Sequence, residues 1–598
     1  MPIYKAPIEN IKFVLHDVLK AGQLSELPGF EDFSLDLADQ IIEEGAKICE
    51  EVLFPLNGSG DQEGCTYKDN TVTTPKGFIE AYKTFSEGGW CGLSSDPEYG
   101  GMGMPMLLNT VMQEIICASN MAFGMYPGLS QGCYEAIHAF GTDEQKALYL
   151  PKLIEGTWSG TMNLTEPHCG TDLGLIRTKA ENHNKDDDSY EITGQKIFIS
   201  AGEHDLTENI VHLVLARLPG APEGVKGISL FVVPKFLPNE NGEPGKRNTA
   251  NCAAIEHKMG INANATCVMV YENAIGWLIG EPHKGLKAMF TMMNAARLGV
   301  AMQGLGIGEV AYQNAVDYAK ERLQMRALDG VKCPDKEADP IIVHPDVRRM
   351  LLIGKAFTEG SRALSYWCGM MQDISHRHPD EEERKAADDL VGLLTPIIKS
   401  YQTDMGSVVA ALCVQTHGGM GYVGETGVEQ YMRDAKIAEI YEGTNGIQAL
   451  DLVGRKMGQG YGRLLKRFFQ PVQEFIEKNQ ANEDMQEFVF PLAKSFAKLQ
   501  ISTATIAEKG MKNPLEAGAG ATDYLNQFAL VSIAYMWNLM SETALEKIAS
   551  GEGDKKFYEE KLKTARFFMT RMLPEADARF KMVLAGADPL MDMDEDQF

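Results

Sequence analysis

No stretch of this 598-residue sequence approaches the roughly 18 uncharged apolar residues of a membrane-crossing helix. The richest window, GVAMQGLGIGEVAYQNAV, follows Arg297 and is interrupted by Glu309, so no membrane span is expected. The opening MPIYKAPIENIKF has charges and prolines but no apolar core of a secretory signal. A soluble, cytoplasmic protein of bacterial type is the expectation. The 11 cysteines are scattered from Cys49 to Cys413 and include no CxxC pair. That pattern fits neither a zinc ribbon nor a disulfide framework, so reduced thiols and no metal are expected. Cations are scarce too: 56 Lys and Arg against 83 Asp and Glu leave a net charge of −27. Such a surface repels phosphate backbones and anionic lipid, which argues against nucleic acid as a partner. A small anionic ligand remains open, because a few local cations offset the field.

What is present is ordinary globular material. Apolar residues make up 44% and charged residues 23%, enough for large cores, and the length suggests about three to five folding units. From about Leu35 to Lys152, segments such as LDLADQIIEEGAKICEEVLFPLN repeat apolar residues at helical steps. The period changes near Trp158. SYEITGQKIFIS, NIVHLVLARLPG, KGISLFVVPKFLP and ATCVMVYENAIGWLIG are short, β-branched and bounded by turn residues. The acidic stretch 182–189 reads as a loop tip between two strands. Helical periodicity returns near Lys284, continues to Lys456, and resumes over 464–583 before an acidic tail expected to fray. Runs of one element type followed by runs of another predict an α+β assembly. The expected divisions are an N-terminal extension (1–35), a helical domain (36–158), a β domain (159–280), a helical-bundle domain (281–458) and an added helical domain (464–590).

Three attractive motifs fail on context. Gly128-Leu129-Ser130-Gln131-Gly132 matches a nucleophile elbow, but the preceding NMAFGMYP is not a buried strand. Gly304, Gly306 and Gly308 resemble a dinucleotide loop but lie inside a helical run, where close helix packing explains them better. His376 and His378 have no third ligand nearby and read as a solvated loop.

Four other segments make sense only together. They are MNLTEPHCGTD (162–172), KIFISAG (196–202), QTHGGMGY (415–422) and RDAKIAEIYEGTNGIQ (433–448). In order and position they resemble the acyl-CoA dehydrogenases, from about residue 36 to 456. The length, the opening MPIYKAPI and the added C-terminal helices look most like the 3-methylmercaptopropionyl-CoA dehydrogenase subgroup, whose broad-range members include fatty acyl-CoA enzymes.

The resemblance implies an N-terminal helical domain, a middle β-barrel or sheet, a C-terminal four-helix bundle, and an enzyme that uses FAD. It would desaturate an acyl-CoA thioester to the trans-2-enoyl-CoA, with a base removing the α-proton while the β-hydrogen leaves as hydride. The substrate would be 3-(methylthio)propanoyl-CoA, fatty acyl-CoAs, or both, in dimethylsulfoniopropionate catabolism or fatty acid β-oxidation. Glu442 stands where the family carries its base, and its backbone N–H would bind the thioester carbonyl. Read on residues alone, Glu442 is more simply a glutamate capping a helix that begins near Thr444. Branches of the family carry the base on another helix, but here FTMMNAAR (290–297) holds no acid and Ala296 stands in its place. Gly443 would let the backbone approach the ligand. A desolvated carboxylate would gain basicity on ligand binding.

The same resemblance assigns Met162, Leu164, Thr165, Gly170, Thr171, Phe198, Ser200 and Thr444 to the flavin. Family members often carry tryptophan where Phe198 stands. Arg322, Gln324, Gln415 and Gly419 would reach the partner subunit's pyrophosphate and adenosine, which requires a homo-oligomer, with a dimer expected. The family pattern has Phe-Gly where this chain has Met325 and Arg326. Asn294 and Arg297 would touch the CoA chain, and Met125, Tyr126 and Ser130 would line the acyl cavity. Methionine is more often simple core filling. The implied electron acceptor is an electron-transfer flavoprotein. The alternatives are an acyl-CoA oxidase that passes electrons to oxygen, which the absent peroxisomal tripeptide at Asp596-Gln597-Phe598 disfavours, and a catalytically silent scaffold.

Overall fold

The computed structural model describes residues 2–598, which form two compact units. One gathers Glu44–Met104 and Ile115–Gly299; the other gathers the N-terminal residues to Glu43, Pro105–Glu114 and Val300–Phe598. The chain passes from one to the other within the helices Leu35–Ile48, Met106–Phe140 and Gly285–Glu321 and in the loop between Met104 and Pro105. Helices precede and follow the main run of strands, Trp158 to Ile279, so the fold is α+β.

The first unit is organised around a seven-stranded mixed sheet. Its approach is marked by the helix Asp143–Glu155, opened by a Thr142–Gln145 capping box and closed by Gly156 at φ +74°. Trp158–Asn163 then pairs in parallel with Asn209–Arg217, which pairs antiparallel with Ile228–Pro234. Ile228–Pro234 also pairs with Thr266–Ile279, and that strand with Ser189–Ser200. Lys179–Asn184 bridges Ser189–Ser200 to Asn209–Arg217, which closes a ring. The strand Asn209–Arg217 is apolar on both faces because both are covered. Val211, Leu213 and Leu215 join the helix residues Ile137, Leu153 and Met289. Val214 and Ala216 pack inward with Ile192, Phe231 and Tyr271. Residues 185–188 form the acidic tip between strands, one strand claiming 182–184. The N-terminal part of this unit departs from the all-helical expectation. Thr66–Lys68 and Thr71–Thr73 form a small hairpin, turned by Asp69 and Asn70 at positive φ. Three-residue strands are too short to show a period of two.

The second unit is helical. Gly285–Glu321, from Val300 onward, crosses Glu381–His417 with backbones in contact: a Cβ on Gly304 would meet the Gln402 carbonyl at 2.4 Å, and one on Gly406 the Gly304 carbonyl at 2.4 Å. Packing, not a nucleotide loop, is what Gly304 serves. A buried Arg362 on Pro345–Arg377 clamps two further acids, with Nη2 at 2.6 Å from Glu114 and 2.8 Å from Glu309. The C-terminal helices Arg463–Asn479, Gln486–Lys512, Pro514–Ser550, Lys555–Phe567 and Glu575–Ala585 pack onto this core. The Trp537 indole N–H donates to the Ala356 carbonyl at 3.2 Å. The N-terminal extension is tied down as well: Asn314 brackets Ile3, donating to its carbonyl at 2.8 Å and accepting from its N–H at 2.9 Å. His376 lies in the last turn of Pro345–Arg377 and only His378 follows it, so the expected loop is a helix end. The acidic tail contains a 3-10 turn, Glu595–Gln597. Among the described residues no helix is long and apolar enough to cross a membrane, and all 11 cysteines are free thiols.

Candidate active site

The loop that carries Glu442 turns from the 3-10 turn Ile437–Glu439 into the helix Asn445–Asp451. Glu442 has φ +57° and Gly443 φ +82°. A left-handed conformation costs a non-glycine residue roughly 1–2 kcal/mol, so something must hold it. The buried Gln448 amide donates to the carbonyls of Glu442 at 3.1 Å and Gly443 at 3.2 Å. The buried Lys399 ammonium donates to the Gly443 carbonyl at 2.9 Å and to Asn445 Oδ1 at 2.8 Å. Asn445 Nδ2 donates to Asp404 at 2.7 Å. A side chain on Gly443 would lie 2.7 Å from Gln448 Nε2. The helix N-cap is Thr444, whose Oγ1 accepts from the Ile447 N–H at 3.3 Å. Capping is therefore not what Glu442 does, and its side chain is half-buried. Asp404 is half-buried, and the partial burial raises its carboxyl, with the Asn445 hydrogen bond working the other way.

In the other unit, the structure brings the MNLTEPHCGTD and KIFIS segments side by side. The Ile197 N–H donates to the Thr165 carbonyl at 2.9 Å, and Lys196 Nζ to the Leu164 carbonyl at 3.0 Å. Lys196 is fully buried and pairs with Glu166 at 2.8 Å. Burial works against the charge on Glu166, but Lys196, the Thr178 hydroxyl and the Arg177 N–H outweigh it and hold the carboxyl below its usual range. Phe198 sits at φ +59° with 59% of its surface exposed, while Met162, Thr165 and Ser200 are half-buried, Leu164 is buried, and Gly170 and Thr171 are exposed. An exposed aromatic face flanked by hydroxyls suits a planar, polar-edged ring, so these residues fit a flavin. Glu166, His168 and Cys169 also hold a carboxylate, an imidazole and a thiol within 4.8 Å of one another. The Lys196 ammonium already balances that carboxylate.

The remaining assigned residues divide by environment. Arg322, Gln324, Gln415 and Gly419 are exposed. Tyr318 stacks on His417 with centroids 4.2 Å apart, so the segments that carry these four lie at one end of the bundle. The departure at Met325 and Arg326 has a local cause. Met325 takes φ +60° and is 74% exposed, while Arg326 turns inward to the Cys333 carbonyl at 2.9 Å. Burial alone would raise Asp339, but the N–H groups of Ala327, Cys333 and Lys332, with Arg326, bring it down to about 2. Asn294 is exposed and Arg297 is 6% exposed. Met125, Tyr126 and Ser130 are buried, and two of them already have structural partners: Tyr126 Oη donates to the Ala263 carbonyl at 3.1 Å, and Ser130 Oγ accepts from the Gly160 N–H at 3.0 Å. The Ser130 motif lies within the helix Met106–Phe140, not at a strand end.

Sequence reasoning missed Lys399, Gln448 and the Lys196–Glu166 pair. The one signal for the lysines was a single charge in each apolar run, TPIIKS and QKIFIS.

The chain matches four family models: acyl-CoA dehydrogenase N-terminal domain over 40–157, middle domain over 161–274, C-terminal domain over 283–457, and acetyl-CoA dehydrogenase C-terminal like over 468–594. It belongs to the acyl-CoA dehydrogenase family, the FAD-dependent oxidoreductases that dehydrogenate acyl-CoA thioesters. It is 42% identical to the 3-methylmercaptopropionyl-CoA dehydrogenase of Ruegeria pomeroyi, over 98% of this chain and 99% of that one. It is 33% identical to the broad-specificity linear acyl-CoA dehydrogenase FadE5 of Mycobacterium tuberculosis, over 100% of each chain. A solved acyl-CoA dehydrogenase complexed with FAD from Bacillus anthracis shares the fold, with a TM-score of 0.76 and 22% identity over 94% of this chain and 90% of that one.

Proposed function

We propose that this enzyme removes the α-proton of an acyl-CoA with Glu442 and yields the trans-2-enoyl-CoA. An α C–H is a weak acid, so the base must be aimed at it and the thioester oxygen must find donors as charge develops. The observation that carries the reading is the Glu442–Gly443 loop, left-handed at both residues and anchored to buried side chains. Aiming an acid justifies such strain; capping a helix does not require it. The Glu442 backbone N–H is the proposed donor to the thioester carbonyl. Bound FAD supplies the acceptor for the β-hydride. Met162, Leu164, Thr165, Gly170, Thr171, Phe198, Ser200 and Thr444 are the proposed flavin contacts. Arg322, Gln324, Gln415 and Gly419 would hold the nucleotide part of a second subunit's cofactor.

The proposed substrates are 3-(methylthio)propanoyl-CoA, fatty acyl-CoAs, or both, the first on the strength of the 42% identity to the Ruegeria pomeroyi enzyme. Asn294 and Arg297 are proposed for the CoA arm, Met125, Tyr126 and Ser130 for the acyl wall. A homodimer reoxidised by an electron-transfer flavoprotein in the cytoplasm completes the proposal, with the five domain divisions given above.

The test is anaerobic flavin bleaching by a panel of acyl-CoAs, short to long, including 3-(methylthio)propanoyl-CoA. Glu442→Gln is expected to keep flavin and ligand while losing on the order of a thousandfold or more in reduction rate, as removal of a positioned general base does. Near-normal bleaching by that variant removes Glu442 from the role. Fast peroxide formation when the reduced enzyme meets air points instead to an oxidase.

A further inference from the structure

We propose that Lys399 and Gln448 are positioning residues for the base: they grip the carbonyls of Glu442 and Gly443 and so fix the direction in which the Glu442 carboxylate is presented. The inference rests on Glu442 being that base. The two side chains approach from different elements, Lys399 from the middle of the helix Glu381–His417 and Gln448 from the first turn of Asn445–Asp451. Both are fully buried. One Gln448 amide nitrogen reaches both carbonyls, so neither peptide plane can flip without breaking a bond. With φ of Glu442 set at +57° and its carbonyl held, the Cα–Cβ direction follows.

Two features separate this from ordinary loop packing. A buried ammonium is expensive to desolvate, and Lys399 directs two of its hydrogen bonds to the Gly443 carbonyl and the Asn445 side-chain oxygen. Asn445 is itself fixed from behind by the Ser400 carbonyl, Thr403 and Asp404, so the oxygen that orients the ammonium does not drift. The helix start, meanwhile, has its own cap in Thr444. The grip therefore serves the residues before the helix, and those residues are the base and its glycine.

The experiment uses the FAD-loaded enzyme and a 3-thia-acyl-CoA. Sulfur at the β position leaves no hydride to transfer, so α-proton removal is read alone, as a long-wavelength absorption band of the enolate lying against the oxidised flavin. Lys399→Met and Gln448→Met keep side-chain length and remove the donors. Both are expected to retain flavin content and ligand affinity, to form the band only at higher pH than the parent, and to reduce about a hundredfold more slowly with a saturated acyl-CoA, the scale of loss that ångström misplacement causes. Wild-type band and rate in both flavin-loaded variants overturn the proposal. So does a loss in both that follows flavin content alone, because that is packing damage. Where Lys399→Met fails to fold, Gln448→Met decides. Glu442→Gln separates the two claims. If it abolishes the band while Lys399→Met and Gln448→Met are normal, the base stands and the grip falls. If it keeps the band, the base reading falls and takes the grip with it.

Discussion

At the scale of single residues, the chain places buried charge where a polar segment must be held still. Lys196 and Glu166 show how. The lysine is 0% and the acid 3% exposed, and together they pin the MNLTEPHCGTD loop to the strand that carries Phe198. Removing one member of a buried pair strands the other, which costs roughly 3–5 kcal/mol. Glu166→Gln should therefore lower the unfolding free energy by that measure, read in urea, and reduce flavin retention in the same preparation. The pH dependence follows from the sign of the shift. Because the folded carboxyl lies below its usual range, its contribution is complete above the ordinary glutamate pKa and fades as pH falls through the folded value. The parent enzyme should lose this acid-side component, and Glu166→Gln should lack it. An unchanged acid limb would show that the pair is not what holds the loop.

At the scale of elements, the helical unit depends on how closely two helices approach. Gly304 and Gly406 are reciprocal contacts, each lying against the backbone of the other's helix. Backbone atoms cannot rotate away as a side-chain end does, so Gly304→Ala must push Gly285–Glu321 off Glu381–His417. Overpacking of this kind costs about 1–3 kcal/mol or more. Lys399 lies on Glu381–His417, so the same substitution should slow flavin reduction as well as lower the melting temperature. A variant as stable and as fast as the parent would mean the two backbones have room that the structure does not give them.

At the scale of the whole molecule, the added C-terminal helices share one charge cluster with the bundle and the N-terminal extension. Glu359 accepts from Lys355 at 2.7 Å and from Lys561 at 2.9 Å, and Lys561 also meets Asn10. Burial opposes the Glu359 charge, yet Lys561 and Lys355 together bring its carboxyl down to about 2. Lys561→Met leaves a buried carboxylate with one cation fewer, a loss of about 2 kcal/mol for a hydrogen bond between charged groups. Limited proteolysis should then release fragments from 464–590 sooner than in the parent, while the flavin stays bound. Strong acid should imitate the substitution, since a carboxyl depressed in the fold contributes in full above its ordinary pKa and ceases to only as pH falls toward about 2.

Much of this architecture was legible beforehand. The change of period at Trp158, the return of helical spacing near Lys284 and the late helical block all reflect local rules, in which apolar spacing selects helix or strand wherever the element is long. The Tyr441–Gly446 motif marked Glu442 for the same reason, since a motif is local. The short hairpin at Thr66–Thr73 was invisible because three residues carry no period. The inward turn of Arg326 depended on Asp339, which waits 13 residues further on. Nothing local in the sequence sets Lys399 or Gln448 apart as holding the Glu442 loop. Only folding brought a helix centre 44 residues upstream against the Gly443 carbonyl. Composition and periodicity decide which elements form and which side chains are available. Which distant donor meets which strained carbonyl is decided by tertiary packing, because that pairing exists only once the helices have closed around it.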